Sequence, residues 1–95
     1  MHVLSLKLTF HLPLSSSLKD KRKVRLSLIN KTQQQFNVSI AEVATQDVQQ
    51  TLTIGVSVVS GEFTRGKDRL DEIIRFMELQ GENMGAELRV IEEFS

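Results

Sequence analysis

The sequence predicts an α+β domain in which two helices cover one face of a four-stranded antiparallel sheet. Residues 3–12 and 51–60 alternate apolar and polar side chains, which is typical of strands with one buried and one wet face. Residues 18–36 and 63–79 instead repeat their apolar side chains at helical spacing. A further strand-like segment follows each helix, so the predicted element order is β-α-β-β-α-β.

The first strand and the first helix have clear boundaries. Even-numbered residues from Leu4 to Phe10 point to one face of the strand, and Pro13 ends it. Ser17 is a suitable N-cap for the helix, with Asp20 at the third helical position as in a capping box. The buried sector of this helix, which closes near the turn signal at Asn37, consists of Leu18, Val24, Leu28, Ile29, Thr32 and Phe36.

The second strand is irregular and the third is regular. In the second strand, "VSIAEVAT" (residues 38–45), the apolar face changes between Ile40 and Val43. We expect a bulge near Ala41 and Glu42 to reconcile the two halves. The third strand points four residues inward: Leu52, Ile54, Val56 and Val58.

The second helix and the last strand complete the domain. Ser60 and Gly61 break the third strand, and the helix then presents Leu70, Ile73, Ile74 and Met77 on one face. The last strand is "AELRVIEEF", residues 86–94. The first and third strands alternate most regularly, so we expect them in the centre of the sheet. The second and fourth strands carry acidic residues, as edge strands often do, so we expect them at the edges. Two right-handed split crossovers give the ferredoxin-like arrangement in a single domain, residues 1–95.

Composition excludes several classes of protein. The chain of 95 residues has no Cys, which rules out disulfides, thiolate metal sites and a Cys nucleophile, and fits a reducing compartment. The N-terminus lacks the basic region and the cleavage site of a signal peptide, and Lys7 interrupts its apolar run. No apolar stretch approaches the roughly 18 residues that cross a membrane. We therefore expect a cytoplasmic protein without a membrane segment.

Charge is distributed unevenly along the chain. Residues 1–40 hold seven Lys or Arg and one Asp, whereas residues 41–95 hold five Lys or Arg and eleven Asp or Glu. The two parts therefore carry +6 and −6, although the formal net charge is zero. Chance and helix-end preferences would account for this asymmetry. A basic surface that faces a polyanion would account for it equally well.

The stretch "SSSLKDKRKVRLSL", residues 15–28, concentrates the positive charge. A solvated helix face would explain charge but not its sign, because cations near a helix N-terminus cost a few tenths of a kcal/mol each. An external anion such as RNA phosphate would offset that cost. On a helical wheel, Lys19, Arg22, Lys23 and Leu26 form one exposed stripe, while Lys21 and Arg25 lie near the edge of the buried sector. The predicted nucleic-acid-binding residues are Lys19, Lys21, Arg22, Lys23 and Arg25.

No pattern in the sequence indicates catalysis. The serine triplet before the helix resembles a phosphate cradle, but the loop lacks the Gly and Arg that acylphosphatases of this fold use, and serines are common caps. His2 and His11 point to opposite faces of one strand, about 30 Å apart if it is extended. We therefore expect no enzyme, no cofactor, no metal and no small-molecule substrate.

The face of the sheet away from the helices offers an alternative function. It has no stacking aromatic residue on the central strands, so readout of single-stranded RNA as in RNA-recognition domains is not expected. Its small side chains suit close approach of another protein or a second copy of the chain. Further candidate partner contacts are Leu26, Glu42 and Asp47. The predicted residues of this face are Ser5, Lys7, Thr9, Thr51, Thr53, Gly55 and Ser57.

The motifs "SLKDKRKVRLSL", "FNVSIAEV" and "TLTIGVSVVS", in this order, resemble the YlxP-like family of small bacterial proteins of unknown function. The resemblance spans nearly the whole chain and implies a ferredoxin-like fold. Members are often encoded beside translation-initiation and ribosome-maturation genes, which implies a ribosomal or RNA context. The chain departs from the family pattern at Ala44, where Gly is usual, and at Gln49, where many members have Trp.

Overall fold

A computed structural model describes all residues, Met1–Ser95, and confirms the predicted element order. The four strands form one antiparallel sheet in the order β2-β3-β1-β4, so the first and third strands are central as predicted. Both helices lie on one face, in the ferredoxin-like α+β arrangement. The elements are β1 (His2–His11), α1 (Leu18–Gln35), β2 (Ser39–Ala44), β3 (Thr51–Ser60), α2 (Phe63–Asn83) and β4 (Glu87–Phe94).

The second helix is longer than the sequence predicts, because Gly81 continues it instead of ending it. A Cβ atom at this position would lie 3.0 Å from Cε1 of Phe10 and 3.1 Å from the carbonyl oxygen of Ala86. Gly81 is therefore a site of close packing between α2 and the core. The left-handed residue that follows the helix is Gly85, with φ of 77°.

The irregularity in β2 lies one residue beyond its predicted place. The register with β3 shifts between Glu42 and Ala44, so Val43 is the extra residue. Val43 points to the face away from the helices and lies above Gly55. A Cβ atom added to Gly55 would lie 2.7 Å from Cγ1 of Val43. The missing side chain of Gly55 leaves the room that Val43 fills. A second shift, between Thr9 and Phe10 in the pairing of β1 with β4, is not predicted by the sequence pattern.

The core lies between the sheet and the two helices. The predicted inward residues of β1 and β3 are all buried, together with Leu28 of α1 and three residues of α2. Ile29 and Phe36 pack against this core while partly exposed. The fully or nearly fully buried core residues are Leu4, Leu6, Leu8, Phe10, Leu12, Leu28, Leu52, Ile54, Val56, Val58, Leu70, Ile73, Met77 and Ala86.

Candidate nucleic-acid interface on the first helix

Three cations form an exposed stripe along the first two turns of α1. Lys19, Arg22 and Lys23 are exposed, and none of them lies within 4.0 Å of a carboxylate oxygen. Their spacing of i, i+3 and i+4 places them on one side of the helix. We call these three residues the basic stripe. The same side continues with exposed residues that carry no acid: Leu26, Asn30, Gln33 and Gln34.

Lys21 lies inside the protein and not on this stripe. It is 2% exposed, and its ammonium group donates hydrogen bonds to the carbonyl oxygens of Thr45, of Val48 at 2.8 Å and of Gln46 at 3.4 Å. Its long stem follows the edge of the buried sector until the ammonium reaches the loop between β2 and β3. All three ammonium protons have acceptors within the chain. Lys21 is therefore not available to a phosphate group, contrary to the expectation from the sequence.

Glu42 is the counterion of Lys21 and also of Arg25. Its side chain is only 5% exposed, with Oε2 at 2.9 Å from Nζ of Lys21 and Oε1 at 3.2 Å from Nη1 of Arg25. Oε2 accepts no hydrogen bond, so its contact with Lys21 is an ion pair alone. Arg25 keeps a side chain that is 29% exposed. Glu42 therefore does not offer its carboxylate to a partner, contrary to the expectation for an edge strand.

The burial of Glu42 follows from its register. Glu42 pairs with Ile54 and lies two residues after Ile40, so it points towards the helices. Parity with Ile40 is therefore the signal in the sequence that places this carboxylate inside. The other two candidate partner contacts are exposed: Leu26 on α1, at 52%, and Asp47 in the loop between β2 and β3.

The serine triplet works as a helix cap. The hydroxyl of Ser17 accepts a hydrogen bond from the N–H of Asp20 at 3.1 Å, and that of Ser15 donates to the carbonyl of Ser17 at 3.2 Å. The Asp20 carboxylate accepts from the N–H and the hydroxyl of Ser16, at 3.1 and 2.9 Å. These two bonds, with a smaller contribution from Lys23, hold the pKa of Asp20 below its ordinary value. A carboxylate already occupies the helix start, which disfavours a second anion there.

No group of three or more His, Asp or Glu side chains is placed to hold a metal ion. No helix is both long enough and apolar enough to cross a membrane.

The fold and the basic stripe define a small ferredoxin-like α+β domain with one cationic helix. The chain belongs to the family described as protein of unknown function (DUF503), whose profile matches residues 3–90. It is also similar to the uncharacterized protein YlxP of Bacillus subtilis (strain 168), with 33% identity over 64 residues. That alignment covers 67% of this chain and 70% of YlxP. These matches confirm the resemblance of the sequence to YlxP-like proteins.

Proposed function

We propose that this chain is a non-enzymatic, cytoplasmic accessory protein that binds structured RNA, including the RNA of ribosomal particles, through the basic stripe. The observation that carries the proposal is the contrast among the cations of α1. Lys21 and Arg25 share Glu42 as their counterion, and Lys21 also donates to loop carbonyls, whereas Lys19, Arg22 and Lys23 have no counterion. Four cations of α1 form no ion pair, and three of them share one side of its first two turns; the fourth, Lys31, lies about two turns further on and on another side.

The position of the basic stripe also favours an external anion. Three cations in the first two turns of a helix repel one another and oppose the helix dipole. Asp20 lies close enough to Lys23 for their charges to interact, but it forms no ion pair with any cation of the stripe. A polyphosphate backbone would supply the missing negative charge and release its own counterions. The arrangement is therefore more favourable in a complex with RNA than in the free protein.

The chemistry of the stripe indicates contacts with phosphates and not with bases. It contains no aromatic side chain on which a base could stack. The exposed amides of Asn30, Gln33 and Gln34 lie further along the same side and could add hydrogen bonds to phosphate or ribose. The part of the chain after residue 40 carries a charge of −6, so the field of the protein would direct RNA to α1.

Binding to ribosomal subunits tests this proposal. In co-sedimentation at low salt, we expect the wild type to pellet with the subunits and the double variant Lys19→Glu, Lys23→Glu to lose most of this binding. The matched control is Arg65→Glu with Arg75→Glu, which reverses two exposed charges on α2 and changes the net charge equally. Equal loss in both double variants would show that only net charge matters, and the assignment to α1 would then be wrong.

A further inference from the structure

The sheet face away from the helices is left uncovered by the chain. The seven residues that the sequence assigns to this face do lie on it, as the β1–β3 register shows. Apart from Lys7, they form a floor of small side chains. In this floor the Ser5 hydroxyl donates to that of Ser57 at 3.2 Å, and the hydroxyls of Thr45 and Thr53 are 3.0 Å apart. These polar groups are partnered within the chain. Another molecule can therefore cover these four hydroxyls without leaving them unpaired.

Apolar side chains from the edge strands and from one end of the central strands surround this floor. Val43 stands on the β2 side and Phe94 on the β4 side of a shallow groove of about 360 Å³, with Gly55 and Ser57 in its floor. Val43 is 49% and Phe94 is 52% exposed. The other apolar side chains around the floor are Val3, Val59 and Val90.

We propose that a second copy of this chain packs its open sheet face against this one in a two-fold dimer. The face carries a protruding aromatic ring at one edge and a groove beside it, so it is complementary to itself. In an isologous packing, Phe94 of each copy enters the groove between Val43 and the small floor residues of the other. This proposal does not depend on RNA binding.

Charge on this face favours a copy of the chain over a nucleic acid or an anionic membrane. Lys7 and Glu92 are paired residues of β1 and β4, and both project from the open face. Neither of them forms an ion pair within the chain. The two charges cancel, so stacking two such faces accumulates no net charge, and each Lys7 can meet a Glu92 across the interface.

The area of the face is sufficient for a dimer. The four strands contain 10, 6, 10 and 8 residues, and about 4.8 Å by 3.4 Å for each residue gives a face of roughly 550 Å². Two such faces bury roughly 1,100 Å², which exceeds the area of about 1,000 Å² that a specific protein interface needs. The helices remain on the two outer surfaces of the resulting four-layer dimer, so both basic stripes stay accessible.

Sedimentation velocity measures the proposed dimer directly. We expect the wild type at about 100 μM, well above a micromolar Kd, to sediment as a dimer of 10.8 kDa chains. Phe94→Asp places a charge in the interface twice and should raise the dimer Kd about a hundredfold. The matched control is Leu26→Asp on α1, since Leu26 and Phe94 are both 52% exposed. This control should remain a dimer.

A second variant tests whether the effect of Phe94→Asp comes from the interface or only from a local change near the end of the chain. Val43→Asp changes the opposite wall of the groove and should also give monomers, with an unchanged circular dichroism spectrum. A monomeric wild type at this concentration would overturn the proposal. So would a dimer that survives both groove variants, or one that only Leu26→Asp dissociates.

Discussion

Replacing Lys21 with Met tests whether its buried ammonium is the anchor between α1 and the loop that follows β2. Met keeps an apolar stem of similar length, so the change removes mainly the charge and its hydrogen bonds. The Glu42 carboxylate would then stay 5% exposed with Arg25 as its only cation. The carbonyls of Thr45, Gln46 and Val48 would lose their shared donor.

The expected cost follows from these contacts. Breaking a buried ion pair by removing one partner costs about 3–5 kcal/mol. Arg25 still compensates part of the Glu42 charge, and the loop that holds Gln46 and Val48 is exposed. We therefore expect a loss near the lower end, about 3 kcal/mol. A domain of this size has a free energy of unfolding of about 5–14 kcal/mol, so the loss is a large fraction of it.

Urea unfolding followed by circular dichroism measures this loss. With a slope of about 1.5 kcal/mol per molar urea, the midpoint should fall by about 2 M. The matched control is Lys19→Met, the same substitution at an exposed lysine, which should change stability by less than about 0.5 kcal/mol. The double variant Lys21→Met, Glu42→Gln should lose less than the sum of the single variants, because no uncompensated carboxylate remains. Equal midpoints for Lys21→Met and Lys19→Met would refute the anchor.

Two further predictions concern the helix starts. Gly66→Ala should destabilise the protein by about 1–2 kcal/mol, although Ala has the better helix propensity. The reason is that the Cβ of Ala would lie 2.6 Å from Cδ1 of the buried Leu4. An unchanged urea midpoint would contradict this prediction. Asp20→Asn should flatten the loss of stability in acid. The lowered pKa of Asp20 means that its contribution is present above the ordinary carboxyl pKa of about 4 and is lost as the pH falls through the lowered value. Parallel pH profiles of wild type and variant would show that the bonds from Ser16 do not favour the ionised carboxylate.

The sequence predicts those parts of the fold that local patterns determine. β1 and β3 alternate without interruption, and their register runs unbroken from the pair His2 and Ser60 to the pair His11 and Thr51. The end of α2 is predicted too early because Gly81 is a helix breaker in isolation. Its contact with Phe10, which is distant in sequence, explains why a glycine is needed within this helix.

The candidate site is predicted only in part, for a related reason. A helical wheel separates the exposed Lys19, Arg22 and Lys23 from the core, and their exposure agrees with it. The burial of the Lys21 ammonium group depends on carbonyl groups 24 to 27 residues further along the chain. Those carbonyls converge in a turn where Thr45 adopts φ of 59°. Wheel geometry carries no information about that turn, so it cannot distinguish a buried lysine from one that is exposed.

The salt dependence of RNA binding tests the proposed function most directly. Fluorescence anisotropy with a structured RNA gives the slope of log affinity against log salt, to which each phosphate contact contributes about 0.7 to 0.9. Three contacts from the basic stripe predict a slope of about −2 to −3. Lys19→Glu with Lys23→Glu should flatten it by about 1.5, while Leu26→Ala should leave it unchanged. A wild type that binds no RNA with salt dependence, or a double variant that keeps the full slope, would contradict the account.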